Sequence, residues 1–284
     1  MPDDLTTYAE NTWCPGCGNF GIFNAFKNAV RRLEQEDGIS RNNILITAGI
    51  GCHAKIFDYL DLSGFYSLHG REIATAQGMK LANPSVTVVA FAGDGDAFGE
   101  GIEHLIFAAK RNADITVIIH DNGVYGLTTG QFTPTSPEGF RGPSTPFGSP
   151  EEPLNPIKLM LSVGATFVAR GFSGKLKELT DVFYQAMKHK GFSFVDVLQP
   201  CVSFNDTYKL YNSKVEILPQ PVSTVEEAMK LAEQTEKLPI GIFYQVEQVP
   251  TYHERLLGDL NIATQRASKE QRWESIRTLL QQST

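Results

Sequence analysis

Cysteine is scarce in this chain, with four in 284 residues, and tryptophan is scarcer, with two. So few thiols exclude a disulfide-stapled scaffold, and a chain this long buries enough surface to need none. No apolar run approaches the ~20 residues of a membrane helix, so no membrane span is expected. Positive charge is in deficit, with 25 Lys and Arg against 32 Asp and Glu, a formal net charge of −7. That balance argues against nucleic acid or an anionic membrane as partner. The opening Met-Pro-Asp-Asp-Leu-Thr-Thr is acidic and polar, unlike a secretory leader, and a cytoplasmic location is expected. Internal repeats and low-complexity tracts are also missing. In a reducing compartment the four thiols are then expected to do metal or redox work.

What is present is a rhythm of short Val/Ile-rich runs and longer helical patterns, the mark of βαβ units around a parallel sheet. Strands are expected over 43–49, 86–92, 115–121, 166–169 and 194–198, and helices over 21–36, 72–81, 101–111, 156–163 and 175–189. The stretch 128–156 is dense in Pro, Gly, Ser and Thr, and a loop that long is usually functional or mobile. After about residue 205 the rhythm fades. Residues 1–207 are therefore read as one cofactor-binding α/β domain with helices on both sheet faces, and 208–284 as a C-terminal arm. Two amphipathic helices, 224–236 and 269–282, are expected in the arm.

Two strand ends carry chemistry. The run from Val86 to Ala92 leads straight into Gly93-Asp-Gly-Asp96, and the run from Ile115 to Asp121 leads into Asn122-Gly-Val-Tyr-Gly126. Asp94 and Asn122 thus lie past the carboxyl ends of strands, where open parallel sheets bind ligands. Both are hard oxygen donors suited to Mg²⁺ that also holds phosphate oxygens. Gly93 and Gly95 would let backbone amides approach a phosphate, backed by the helix starting near Gly101. Two capped strand-to-helix turns would explain each motif alone. The 28-residue step between Asp94 and Asn122 looks instead like the thiamin diphosphate signature, in which the carbonyl two residues past the Asn, here Val124, is a third metal ligand.

The cysteines are Cys14 and Cys17 in Trp13-Cys-Pro-Gly-Cys-Gly18, Cys52 after an apolar run, and Cys201 after another. A Cys-x-x-Cys pair plus two distant thiols makes one tetrathiolate site with none left over. A thioredoxin-like motif needs a preceding strand, and residues 1–12 offer no strand signal. Tetrathiolate zinc and a [4Fe–4S] cluster both fit the donor set.

Taken in order, Trp13-Cys-Pro-Gly-Cys-Gly-Asn19, Gly49-Ile-Gly-Cys52, Leu68-His-Gly-Arg71, Lys80-Leu-Ala-Asn-Pro84, Gly93-Asp-Gly-Asp96 and the run from Asn122 to Gln131 resemble the β subunit of 2-oxoacid:ferredoxin oxidoreductases. The resemblance spans about residues 8–206. It implies a thiamin diphosphate-binding fold, with a [4Fe–4S] cluster on Cys14, Cys17, Cys52 and Cys201 and Mg²⁺ on Asp94, Asn122 and the Val124 carbonyl. Ile50, Gly51, Cys52 and His53 would line the thiamin, with His69 at its phosphate end. Gly93, Gly95 and Asp96 would lie against the diphosphate, and Gly126 and Leu127 near the reactive ring. Lys55 matches a position near substrate or coenzyme A, and Lys55, His53 and Leu127 are the candidates for catalytic roles. His104 and His120 are taken as structural, and His189 and His253 as surface residues.

The implied reaction is reversible, coenzyme A-dependent oxidative decarboxylation of a 2-oxoacid, with electrons passing through the cluster to ferredoxin. A larger α subunit would supply the glutamate that activates the aminopyrimidine, in an (αβ)₂ assembly. His53 and Lys55 could meet a second carboxylate, which tilts the substrate toward 2-oxoglutarate. A pyruvate, branched-chain or indolepyruvate enzyme of the same family is the alternative, as is a non-redox thiamin subunit with structural zinc.

Overall fold

The computed structural model describes residues 5–265 and 267–282. Its core is an eight-stranded sheet in the order β2-β1-β3-β4-β6-β5-β8-β7. The strands are β1 (Ile44–Ala48), β2 (Ser63–Tyr66), β3 (Thr87–Gly93), β4 (Thr116–Asp121), β5 (Phe167–Phe172), β6 (Ser193–Leu198), β7 (Val215–Ile217) and β8 (Leu238–Gln245). Every neighbouring pair is parallel except β5 with β8, which is antiparallel.

Helices cover both faces. Strand residues alternate between them, so Val89 and Phe91 of β3 join one core while Val88, Ala90 and Ala92 join the other. That double burial is why these strands read as unbroken apolar runs. On the first face lie α1 (Asn19–Glu36) and α6 (Leu176–Lys188). In α1 the residues Ile22, Phe26, Ala29, Val30 and Leu33 recur every three or four positions and bury one stripe. Phe26 meets Phe91 edge-on with ring centroids 4.9 Å apart. Burying one such ring is worth about 1.5–3 kcal/mol. On the second face lie α3 (Glu72–Ala82), α4 (Ile102–Arg111) and α5 (Pro156–Ser162), with α8 (Val225–Ala232) against α5. A short α2 (Ile56–Tyr59) follows the loop after β1.

Several sequence expectations shift. Residues 208–245 supply α7 (Tyr208–Lys214), β7, α8 and β8, and the last two strands complete one edge of the sheet. Beyond them lie α9 (Tyr252–Leu257) and α10 (Lys269–Gln282), the latter exposed along its length. The first helical turn after β3 is not α4. It is a wide π turn, Gly95–Glu100, wound directly from Asp94. His189 and His253 are buried rather than on the surface. His189 Nε2 lies 2.9 Å from Thr166 Oγ1 and its Nδ1 lies 3.4 Å from Glu247, just after β8, while His253, itself in that returning segment, sits in the cap of α9 against Thr251. No helix among the described residues is long and apolar enough to cross a membrane.

The strand order places the site. From β1 the chain moves outward to β2, then returns to β3 on the other side of β1. A crevice opens past the carboxyl ends at such a reversal. The loops after β1, β3 and β4 rim it.

Candidate functional site

One cleft of about 70 Å³ at the switch point is lined by Ile50, Gly51, Cys52 and His53 from the β1 loop, and by His69 ahead of α3. Gly93, Asp94, Gly95 and Asp96 come from the end of β3, and Asn122, Val124, Gly126 and Leu127 from the β4 loop. All were singled out from the sequence. Tyr125 and Thr128 complete the lining and were not. Tyr125 explains a glycine: a Cβ on Gly95 would fall 2.3 Å from its ring, so the ring seals the cleft only if residue 95 has no side chain.

Asp96 organises the charge. His69 Nδ1 lies 2.7 Å from one carboxylate oxygen and His53 Nε2 lies 3.1 Å from the other. The Gly70 N–H donates as well, at 2.6 Å. Burial alone would raise the Asp96 pKa, but these hydrogen bonds outweigh it and hold the carboxylate well below its ordinary range. In return the Asp96 bond raises His69 above the ordinary imidazole value. Behind them Glu72 is fully buried, with both carboxyl oxygens lacking a donor. Burial first, and then the Asp96 charge, push its pKa well up.

Asp94 and Asn122 face the same cleft. Asp94 is 2% exposed, and one of its oxygens accepts from the hydroxyls of Thr133 and Thr135, the latter at 2.7 Å. Thr135 Oγ1 also lies 2.8 Å from Asp121 Oδ1, so its single hydrogen is shared between two carboxyl groups. Asn122 Oδ1 accepts from the Val124 N–H at 2.9 Å, which fixes the amide orientation, and its Nδ2 donates to Gln199 Oε1 at 3.1 Å. Burial raises Asp94, and burial with the Asp196 and Asp94 charges raises Asp121 well above normal. A buried carboxylate held by hydroxyls, with no cation beside it among the described residues, is short of positive charge. An oxygen-ligated divalent cation answers that shortage, so the donor set fits Mg²⁺.

The four cysteines meet although they come from three separate parts of the chain. Cys14, Cys17, Cys52 and Cys201 all line a second cavity of about 70 Å³. Cys52, Asn122 and Gly126 line both cavities and form the wall between them. A Cβ on Gly126 would stand 3.6 Å from the Cys52 sulfur and 3.8 Å from that of Cys201. Burial, with the other thiols adding, pushes the Cys17 thiol up to about 11. Metal coordination deprotonates such a thiol outright. Among the described residues no three His, Cys, Asp or Glu side chains gather as a single metal ion would require. The thiols surround a space instead.

Lys55 lies on the wall of the cysteine cavity and outside the lining of the first cleft, with Nζ donating to Thr12 Oγ1 at 2.9 Å. His53, 5% exposed, is held by Asp96. His120 is fully buried, its Nδ1 2.7 Å from Asn19 Oδ1. Sequence reasoning missed Thr133, Thr135, Glu72 and Gln199. The Thr-Pro-Thr-Ser run at 133–136 was a usable signal, since clustered hydroxyls in a long loop favour local capping bonds. Ser136 Oγ donates to the Gly123 carbonyl at 2.7 Å and pins the loop against the turn that carries Asn122 and Val124.

The family model for the C-terminal TPP-binding domain of thiamine pyrophosphate enzymes matches residues 49–197. The model for the C-terminal part of the pyruvate ferredoxin oxidoreductase β subunit matches residues 201–258. The chain is 46% identical over 264 residues to the 2-oxoacid:ferredoxin oxidoreductase subunit beta of Sulfolobus sp, covering 87% of this chain and 85% of that one. It is 43% identical over 203 residues to the 2-oxoglutarate oxidoreductase subunit KorB of Mycobacterium tuberculosis, covering 72% of this chain and 53% of the relative. A 2-oxoglutarate:ferredoxin oxidoreductase from Magnetococcus marinus, solved with 2-oxoglutarate, coenzyme A and succinyl-CoA bound, superposes with a TM-score of 0.88 at 36% identity. That match covers 97% of this chain and 95% of the other.

Proposed function

This chain belongs to the β-subunit family of the 2-oxoacid:ferredoxin oxidoreductases, and from that premise we propose that it carries the diphosphate end of thiamin diphosphate beside a [4Fe–4S] cluster. The reaction is reversible oxidative decarboxylation of 2-oxoglutarate to succinyl-coenzyme A and carbon dioxide, with ferredoxin as electron acceptor. The carrying observation is the shared wall: Cys52, Asn122 and Gly126 separate a cleft of hard oxygen donors from a cavity ringed by four thiols.

In this reading Asp94, Asn122 Oδ1 and the Val124 carbonyl hold Mg²⁺, and Cys14, Cys17, Cys52 and Cys201 hold the cluster. When bound, thiamin diphosphate supplies the electron sink for decarboxylation and the cluster supplies one-electron acceptance. The chain's residues do the positioning. Asp96 accepts from His69 Nδ1 and favours the protonated imidazole, the form that would meet the diphosphate as a cation. Thr133 and Thr135 fix the Asp94 carboxylate so that its lone pairs are aimed before metal arrives. The thin wall keeps the two groups close enough for electron transfer. Four thiols on one cavity beside the thiamin cleft suit a cluster that accepts electrons from the decarboxylated substrate.

A cleft of about 70 Å³ is far below the ~300–1,000 Å³ of sites that enclose a cofactor-sized ligand. That shortfall supports a larger α subunit that covers the thiazole and pyrimidine, contributes the activating glutamate and completes an (αβ)₂ enzyme. Free thiols and a low-potential acceptor suit a cytoplasmic site of action. The choice of 2-oxoglutarate rests on the likeness to KorB and to the Magnetococcus enzyme. His53 and Lys55 are weak grounds for it, since His53 is occupied by Asp96 and Lys55 faces the cysteine cavity.

The test is the visible spectrum and metal content of anaerobically purified protein, co-expressed with its α subunit. About four iron per chain, and a band near 400 nm that bleaches with 2-oxoglutarate and coenzyme A, is the expected result. One zinc and no colour would overturn the redox reading. Bleaching by pyruvate alone would overturn the substrate.

A further inference from the structure

Between the two cavities one side chain touches both ligand sets. Gln199 follows β6 and is 1% exposed. Its Oε1 accepts from Asn122 Nδ2 at 3.1 Å. Its Nε2 donates to the Pro200 carbonyl at 2.8 Å and lies 3.6 Å from the Cys17 sulfur, within reach of an N–H···S bond. The amide orientation is fixed twice. Pro200 offers only an acceptor, which demands the nitrogen, and Asn122 is itself oriented by the Val124 N–H, so it presents a donor that demands the oxygen. Both hydrogens and one acceptor pair of Gln199 are therefore committed.

The surroundings are built around this residue. A Cβ on Gly18 would fall 2.9 Å from the Gln199 Cγ, so the start of α1 can lie this close only as glycine. Asn205 braces the same Asn122 from the backbone side, donating to its carbonyl at 2.8 Å while exchanging two backbone hydrogen bonds with Cys201.

We infer that Gln199 is a positioning residue that couples the diphosphate–metal site to the cluster, holding Asn122 through its carbonyl and Cys17 through its amide N–H. The inference rests on the cofactor assignment proposed above. An N–H···S bond stabilises the extra negative charge of a reduced cluster more than it stabilises the oxidised state, so it raises the reduction potential. The bonds also act in series. A cation on Asn122 Oδ1 makes Nδ2–H a stronger donor, which polarises the Gln199 amide and strengthens its bond to Cys17. Loading the diphosphate site with Mg²⁺ thus makes the cluster a better electron acceptor.

The experiment is an EPR-monitored redox titration of the αβ enzyme, with and without Mg²⁺ and thiamin diphosphate. Wild type is compared with Gln199→Glu and Gln199→Leu. Glutamate keeps an acceptor for Asn122 but loses the donor to Cys17, whereas leucine loses both. Wild type should show a higher cluster potential when loaded. Both variants should fall in potential, by about tenfold in the one-electron equilibrium constant, or ~59 mV, and neither should respond to loading. Thiamin diphosphate affinity should weaken in the leucine variant and stay near wild type in the glutamate variant. Wild-type potentials in both variants at full iron content would overturn the inference. Loss of iron from both with the fold intact would overturn it too, making Gln199 a prop. A wild-type enzyme without iron would instead refute the cofactor assignment.

Discussion

His69 Nδ1 stands 2.7 Å from Asp96 Oδ1, and that contact raises the pKa of a half-exposed histidine lining the cleft. The raised pKa sets the sign of a pH dependence. The protonated form is complete below the ordinary imidazole value and is lost as pH rises through the raised one, so thiamin diphosphate affinity should fall on the alkaline side. Asp96→Asn should move that fall to lower pH and weaken affinity about tenfold near neutrality. Calorimetric titration across pH checks both. An unchanged profile in the Asn variant would count against the pairing.

Asp94→Asn should separate stability from binding. Buried Asp94 has no cationic partner among the described residues, and an amide keeps an oxygen for Thr133 and Thr135. The ligand-free variant should melt no lower than wild type. At a thiamin diphosphate concentration a hundredfold above the wild-type Kd, wild type should gain about 2.7 kcal/mol from Mg²⁺ and cofactor, and the variant almost none. Thermal melts with and without ligand decide it.

Gly95→Ala tests the packing that seals the cleft. The added methyl would fall 2.3 Å from Tyr125, inside any permissible contact. A cost of about 1–3 kcal/mol is expected from overpacking, and Tyr125→Leu in the same chain should recover part of it. Denaturant unfolding of the single and double variants measures the recovery, and strict additivity would show that the two residues do not meet.

Glu254 reports on the C-terminal region. It caps α9 with Thr251, and the Lys190 hydrogen bond, followed by the Thr251 N–H, lowers its pKa from 4.5 to about 2. A depressed carboxyl stabilises the fold above the unfolded value and stops doing so as pH falls through the folded one. The loss should lie between pH 4.5 and 2, centred on the α9 region. Glu254→Gln should remove most of that acid dependence in hydrogen exchange of residues 251–258.

Legibility in the sequence followed burial. Strands β1, β3, β4, β5 and β6 are covered on both faces and announce themselves as apolar runs. Strand β2 is an edge strand whose four residues are all exposed, so no hydrophobic pattern marks it. In β8, Pro239 and Gly241 interrupt an otherwise readable strand, and both are tolerated because the strand lies near the sheet margin. His189 looked like a surface residue because the segment after β8 that reaches it is remote in the chain, and His253 travels in that segment.

The sequence alone determined the βαβ alternation, the strand-end placement of Asp94 and Asn122, and a tetrathiolate donor set. These are local properties: a period of two on a covered strand, a ligand residue just past its strand, a pair of thiols close together in the chain. Tertiary structure decided the rest. It brought Cys52 and Cys201 beside Cys14 and Cys17, moved Lys55 to the cysteine side, turned His53 onto Asp96, and set Gln199 between Asn122 and Cys17. The place of Gln199 depends on how closely the start of α1 can approach the ends of β5 and β6. A Cβ on Gly21 would fall 2.1 Å from the Ser173 carbonyl, so the approach is set by atoms far away in the chain. No local pattern encodes such a distance.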